Sequence, residues 1–168
     1  HVPLHTTENY NGQMSNQVGI HAFWESRIPE LFAEKEYNFF AGKAEYIDDK
    51  RTFFWEIVLA SHSYLDEVLS IEKELSETYP SDQQFCYDER LNNNVRLQCP
   101  EYAAAYQAAM QGMVEERWTA SIKAIGDAWY TAWVDAGQPL LSKEKVEVTP
   151  ESIKRNNSIK TRSHDNDE

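Results

Sequence analysis

The sequence has few basic residues, and this scarcity argues against long nucleic acids as partners. Sixteen Lys and Arg stand against 28 Asp and Glu, so the formal charge is −12. A surface of this sign repels a long polyanion, which argues against a basic groove for nucleic acid. It does not exclude phosphate chemistry at a metal centre, because the ion is then the largest local charge.

Long apolar runs are also missing. No stretch approaches the roughly 18 apolar residues that span a bilayer, so we expect no transmembrane segment. No signal peptide is visible, and the sequence does not begin with Met. We therefore interpret it as a processed or excised piece, for which a missing signal says nothing about export. Internal repeats are absent, and no convincing pair of strands is visible.

Cysteine is limited to Cys86 and Cys99, which bracket a polar loop. A disulfide between them would close a short loop and stabilise the fold by about 3 kcal/mol on the chain-entropy model. Two free buried thiols are the alternative. We expect the disulfide, which suits an exported protein.

The sequence contains enough apolar residues to form a helical core. Hydrophobic residues make up 41% of the 168 residues and aromatic residues 12%. Apolar residues recur at three- and four-residue steps over residues 46–78, and again from Pro100 to the stop at residues 137–139. Both stretches are predicted to be long helical segments, and Gly112 or Gly126 is a candidate kink in the second.

Shorter helices are predicted from about Gly19 to residue 28 and from Pro29 to Glu36, and Pro29 is either the boundary between them or the first turn of the second. The aromatic residues 37–40 should pack inward, and the Trp-rich second long segment should be core. The sequence thus predicts an all-α helical bundle over residues 1–141, followed by a flexible polar tail over residues 142–168.

Candidate metal ligands lie near the beginning. His21 and Glu25 are four residues apart on a predicted helix and therefore share one face. His5 follows a Pro and a Leu at the edge of a Gly- and Asn-containing loop that can return it to that face. Two imidazoles and a carboxylate form a set that holds zinc with a fourth position open for water. An ordinary amphipathic turn is the alternative.

The remaining candidates have weaker signals. His1 can orient a ligand or contact a substrate phosphate, or it is a frayed terminus. Trp24, next to Glu25, is a second candidate for such a supporting or substrate contact. His62 is expected to be an ordinary helix histidine, and His164 to be solvated in the tail.

The motif Pro3-Leu4-His5, followed by Gly19-Ile-His21-Ala-Phe-Trp-Glu25, resembles the superfamily of zinc-dependent phospholipases C and single-strand-specific nucleases. The resemblance is sharp over residues 1–29 and extends over residues 1–140. It implies an all-α fold, a cluster of three zinc ions and hydrolysis of phosphodiesters. It also implies that His5, His21 and Glu25 are the ligands of one zinc completed by water, not acid–base groups. Glu25 looks more like the phospholipase branch, and Trp24 more like the nuclease branch.

The sequence departs from the family pattern in one respect. The other ligands of the family, among them an N-terminal Trp and a bridging Asp, would stand before His1. We therefore interpret the chain as a C-terminal portion in which at most one zinc site is complete. No residue qualifies as a catalytic acid or base, and we expect the chain by itself to be inactive.

The expected function is that of a secreted or periplasmic zinc-dependent phosphodiester hydrolase. Its substrate would be a nucleotide or a phospholipid headgroup ester, and the sequence leaves this choice open. The alternative is a catalytically inactive helical interaction module. Such a module would bind the missing N-terminal half, or form a homodimer, through exposed apolar faces.

Overall fold

The computed structural model of the chain describes residues 1–90 and 93–141. Residues His1–Gly137 form one compact unit. The predicted tail at residues 142–168, with His164, lies outside the described residues. Within the described ranges, no helix combines the length and the apolar character needed to cross a membrane.

The described chain is mostly helical. A short 3₁₀ turn (Pro3–Thr6) precedes the first helix, and a π-helical segment (Phe23–Arg27) lies between the first and second helices. The helices are α1 (Ile20–Ala22), α2 (Ile28–Glu36), α3 (Lys50–Ser63), α4 (Leu65–Thr78), α5 (Pro100–Ala109) and α6 (Met113–Asp135).

Of the two roles predicted for Pro29, helix boundary or first turn of a new helix, the second is confirmed. Pro29 lies in the first turn of α2, which continues directly from the π-helical segment. The backbone N–H of Ile28 donates to the carbonyl of Phe23, five residues earlier. This wider turn lets the helix continue although Pro29 has no N–H to donate.

Each predicted long helical segment is divided into two helices. The first breaks at Tyr64, between α3 and α4. The second breaks before Gly112, which has a φ of +89° and caps the start of α6. Glycine adopts this left-handed conformation readily, so of the two candidate kinks Gly112 is the real one. Gly126 lies inside α6.

The mainly helical prediction is confirmed, but the expectation that no strands pair is wrong, because the chain has a small antiparallel hairpin. It comprises β1 (Phe85–Arg90) and β2 (Asn93–Gln98), with Phe85 opposite Gln98. The strands carry mostly polar, exposed residues, so they lack the apolar alternation by which a strand is recognised in a sequence. The predicted disulfide between Cys86 and Cys99 is confirmed, and it joins β1 to the residue before α5.

The core lies between the π-helical segment, α4 and α5. The ring of Phe23 lies 5.5 Å from that of Tyr102 and 4.8 Å from that of Tyr106, measured between centroids. The hydroxyl of Tyr106 donates to the backbone carbonyl of Val68 at 2.9 Å. Leu4 is buried in the same cluster and anchors the 3₁₀ turn to it.

The Trp-rich helix α6 is not mainly core, so that prediction is wrong. Trp129 is 77% exposed, and beyond Met113 and Val114 at its start the helix buries polar residues, among them Asp127 and Thr131. These two side chains accept backbone N–H groups of Glu45 and Ile47 at 2.7 and 2.9 Å. The extended segment after α2, residues 37–49, thus contacts α6 through these hydrogen bonds and also through the rings of Phe39 and Trp118, whose centroids are 6.1 Å apart.

The inward packing predicted for residues 37–40 holds only for Tyr37. That residue is half-buried, and its hydroxyl donates to Oε1 of Gln107 at 2.7 Å. Phe40 is 82% exposed, and Phe39 is exposed as well. The aromatic run lies on the extended segment, where only part of each side chain faces α6.

Candidate metal centre

The three predicted metal ligands converge on one point. Nε2 of His21 lies 2.9 Å from Nε2 of His5 and 2.7 Å from Oε2 of Glu25. Nε2 of His5 lies 3.3 Å from the same Glu25 oxygen. Among the described residues, this group of His and Glu side chains is close enough together that it could hold a metal ion.

Two local structures position these side chains. The 3₁₀ turn buries Leu4 and leaves the next residue, His5, facing outward. His21 lies in α1, and Glu25 lies one turn later in the π-helical segment. Single π turns inside α-helices are frequent at functional sites, because they change the direction of side chains on one face.

The loop between the two histidines is closed by its own hydrogen bonds. The backbone N–H of Gln17 donates to the carbonyl of Gly12 at 2.9 Å, and that of Gly19 to the carbonyl of Asn11 at 3.2 Å. The side chain of Gln17 also donates to the carbonyl of Leu69 at 2.8 Å, which fastens the loop to α4. The loop therefore holds His5 and His21 at a set separation.

Hydrogen bonding alone does not account for this convergence. A histidine ring nitrogen carries either one N–H or one lone pair. Nε2 of His21 can therefore form one straight hydrogen bond, to His5 or to Glu25, but not both. A cation between the three atoms satisfies all of their lone pairs together.

The spacing fits zinc. Tetrahedral zinc with bonds of about 2.0–2.1 Å separates neighbouring ligand atoms by about 3.3 Å. The separation of His5 from Glu25, 3.3 Å, equals this value, and the two that involve His21, 2.9 and 2.7 Å, are shorter, so His21 would move slightly outward to hold the ion. His5 is exposed, while His21 and Glu25 are half-buried, so the open side of the triad faces solvent and leaves room for water or a substrate.

His62 does not join the triad. Its Nδ1 lies 3.0 Å from Oγ1 of Thr6. The Thr6 hydroxyl donates its single proton to the carbonyl of Pro3, at 2.7 Å, so it accepts from His62. His62 thus fastens the 3₁₀ turn to the end of α3, as a structural helix histidine.

His1 and Trp24 lie beside the triad rather than in it. Both line a cleft whose wall also includes Glu25. Burial lowers the pKa of the α-amino group of His1, and the nearby Arg117 charge lowers it further, while Glu25 acts in the opposite direction. The supporting positions predicted for these two residues are therefore next to a metal ligand.

The sequence did not identify two further neighbours of the site. The ring of Tyr10 meets that of His21 edge-on, with 6.0 Å between centroids. Arg117 is buried and lines the cleft beside Glu25. Tyr10 belongs to an irregular loop and Arg117 to a distant helix, so no local spacing connects either residue to the ligands.

Comparisons with models of known protein families, with curated proteins and with solved structures gave no match to this chain. The resemblance over residues 1–29 therefore depends on its motif. The geometry of the triad is an observation independent of that motif.

Proposed function

We propose that this chain carries one zinc-binding site of a zinc-dependent phosphodiester hydrolase, of nuclease or phospholipase C type. The observation that supports it is the convergence of His5, His21 and Glu25 within 3.3 Å. In the family that residues 1–29 resemble, up to three zinc ions act together. We expect the chain by itself to have little activity.

The three ligands suit a phosphodiester substrate. Two neutral imidazoles and one carboxylate leave a divalent ion with a net positive charge, which attracts an anionic ester despite the acidic surface. A bound zinc ion supplies Lewis-acid chemistry and a more acidic water. The residues of the chain would hold and orient the zinc ion. None of them is assigned as a general acid or base.

The disulfide supports a secreted or periplasmic location. Disulfides persist in oxidising compartments and are rare in the cytosol. The Cys86–Cys99 bond closes the hairpin onto the start of α5 and so belongs to the structure of the compact unit.

Metal analysis of the purified chain tests the proposal. After equilibration with zinc and removal of the excess, the chain should retain about one zinc ion per molecule, and His21→Ala should retain none. The matched control is His164→Ala, which removes a histidine of the predicted tail, outside the triad, and should keep the ion. Equal zinc contents in wild type and His21→Ala would overturn the proposal.

Hydrolysis of bis(4-nitrophenyl) phosphate then tests the reaction. We expect little or no turnover by the chain itself, and any turnover that is present should depend on zinc and be lost in both His21→Ala and Glu25→Gln. Turnover that persists in His21→Ala would assign the activity to another site or to a contaminant.

A helical interaction module is the second candidate, and a separate observation favours it. Phe54, Trp55 and Leu59 on α3 and Trp129 on α6 are large apolar side chains that are all more than half exposed. Apolar patches of this kind mark interaction sites in soluble proteins. Sedimentation velocity with wild type and with Trp55→Ser would reveal self-association. A zinc-free chain that dimerises through Trp55 would favour the module over the hydrolase.

A further inference from the structure

Gln17 connects the loop between the two histidines to both α1 and α4. Its backbone N–H donates to the carbonyl of Gly12 at 2.9 Å, which closes the loop. Its own carbonyl accepts the N–H of Ile20, the first residue of α1, at 3.1 Å. Its side-chain amide donates to the carbonyl of Leu69 in α4 at 2.8 Å. One residue thus links the loop, the start of the helix that carries His21, and α4.

The amide of Gln17 also donates to a carboxylate that is fixed from the other side. Its Nε2 lies 2.6 Å from Oε2 of Glu72, and Oε1 of Glu72 accepts the hydroxyl of Tyr102 in α5 at 3.1 Å. Gln17 is only 9% exposed and Tyr102 only 1%. A buried amide that loses its acceptor is left with an unsatisfied donor, which is unfavourable. Glu72 therefore fastens the loop to the core, where the ring of Tyr102 stacks on that of Phe23.

The position of His21 depends on this attachment. His21 lies in the first turn of α1, four residues after Gln17. The first N–H groups of a helix have no acceptor within the helix, and for Ile20 the Gln17 carbonyl supplies one. Phe23 and Trp24 are buried and hold the next turn in place. A shift of Gln17 therefore frays the turn that carries the His21 ring and leaves the following turn in position.

His5 is held in place by other contacts. The 3₁₀ turn buries Leu4 in the core cluster, and Thr6 of the same turn lies 3.0 Å from the ring of His62 at the end of α3. Neither contact involves the loop or α4. The distance of 2.9 Å between the Nε2 atoms of His5 and His21 therefore depends on where the attachment of Gln17 places His21.

We propose that Glu72 is a positioning residue of the candidate metal site, which holds Gln17, and through it His21, at the distance from His5 that a metal ion requires. The inference rests on the proposed function for the identity of the ion, zinc. Glu72 does not belong to the triad itself. Loss of a residue that holds metal ligands in place weakens metal binding by about 10–100-fold. Because Glu72 acts through Gln17, we expect the lower end of that range.

Zinc affinities measured by chelator competition test this role. Glu72→Ala should bind zinc about tenfold more weakly than wild type, because the side-chain amide of Gln17 loses an acceptor. Glu72→Gln removes the charge but keeps an acceptor oxygen at the same position, so it should bind zinc like wild type. Wild-type affinity in Glu72→Ala would overturn the proposal. An equal loss in Glu72→Gln would also overturn it, because the effect would then belong to the charge.

Tyr102→Phe is the matched control for a purely structural effect. It removes the hydrogen bond to the other oxygen of the same carboxylate and leaves the bond between Gln17 and Glu72 in place. Urea unfolding should show a loss of stability in both Tyr102→Phe and Glu72→Ala. The zinc affinity of the folded chain should fall only in Glu72→Ala. An equal drop in affinity for the two variants would show that lost stability weakens the site, and would refute the proposal.

Gln17→Met tests the same contact from the loop side. Methionine has nearly the size of glutamine, but it donates no hydrogen bond to Leu69 or Glu72. This variant should therefore also bind zinc about tenfold more weakly than wild type. Circular dichroism checks that each variant is folded. If Glu72→Ala does not fold, Gln17→Met provides the test, and wild-type zinc affinity in that variant would count against the proposal.

The positions of the two rings can also be measured without zinc, so the proposed function and this inference can fail separately. The rings of His5 and His21 meet edge-on, with 4.9 Å between centroids. In the zinc-free chain, nuclear Overhauser contacts between their ring protons should be present in wild type and lost in Glu72→Ala. A chain that shows this difference but holds no zinc would refute only the proposed function. A chain that holds zinc equally tightly in wild type and Glu72→Ala would refute only the role of Glu72.

Discussion

Nε2 of His5 and Nε2 of His21 lie 2.9 Å apart, although the two residues are separated by 16 positions in the chain. The first belongs to a 3₁₀ turn and the second to α1. Neither element brings the two rings together by itself. The intervening loop does so, which makes the candidate site sensitive to changes that touch no ligand.

Zinc should stabilise the folded chain through the triad. A ligand at about 100 times its dissociation constant adds about 2.7 kcal/mol, which corresponds to a rise in Tm of roughly 10 °C for a unit of this size. Differential scanning fluorimetry with and without zinc measures the shift. His21→Ala should show no shift, and His164→Ala should show the full one. A shift of equal size in His21→Ala would place the binding elsewhere.

Gly12→Ala should weaken zinc binding without removing a ligand. Gly12 has a φ of +73°, and a Cβ at this position would collide with the backbone carbonyl of Gln17. The loop must then shift, and the separation of His5 from His21 changes with it. We expect a loss of more than about 2 kcal/mol in stability and a clear drop in zinc affinity, measured by urea unfolding and chelator competition.

The matched control for that variant is Gly42→Ala. Gly42 has a similar φ of +81°, but no atom lies within 4 Å of an added Cβ. This variant should cost only the strain of the left-handed backbone, about 1–2 kcal/mol, and should bind zinc like wild type. Similar zinc affinities for the two variants would show that the loop does not set the geometry of the triad.

Reduction of the Cys86–Cys99 bond should destabilise the chain by about 3 kcal/mol, as expected for the loop of this length. Urea unfolding with and without reductant measures the difference. The double variant Cys86→Ala, Cys99→Ala should show the same loss and no response to reductant. Zinc content should be unaffected, because neither cysteine belongs to the triad. A double variant as stable as the oxidised wild type would contradict this expectation.

Stability should fall at alkaline pH because two core tyrosines resist ionisation. Burial raises the pKa of Tyr106 well above its ordinary value, and burial and the Glu72 carboxylate raise that of Tyr102. The unfolded chain ionises both near pH 10, whereas the folded chain does not. Their contribution is therefore complete below about pH 10 and is lost above it, by about 1.4 kcal/mol per pH unit for each tyrosine.

The variant Tyr106→Phe separates this effect from ordinary packing. At pH 8 it should lose about 1 kcal/mol, because the hydrogen bond to the Val68 carbonyl is removed. Between pH 10 and 11 it should lose stability less steeply than wild type. Tyr87→Phe, at an exposed position of β1, should change the stability at pH 8 by less than about 0.5 kcal/mol. Parallel pH profiles for wild type and Tyr106→Phe would contradict the assignment.

Local patterns predicted part of this structure. The four-residue spacing of His21 and Glu25 places both on one helix face, and their side chains do meet, at 2.7 Å. The pairing of Cys86 with Cys99 followed from their positions around one loop. The predominance of helix followed from apolar periodicity, which depends only on neighbours three and four residues away.

Other features had no local signal. The hairpin is made of polar residues, and its strands are held by pairing and by the disulfide rather than by an apolar face. The exposure of Trp129 is not visible in a periodicity that continues through the whole of α6. Trp129 is exposed because the extended segment covers the neighbouring residues Asp127 and Thr131 instead.

The sequence by itself determined the ligand types of the candidate metal site, the disulfide and the mainly helical class, because each depends on residue chemistry or on short spacing. The tertiary structure alone decided that His5 reaches His21 and that Arg117 of α6 lies beside Glu25 of the π-helical segment. Contacts of this kind join elements far apart in the chain, and they form only when burial of the common core brings those elements together.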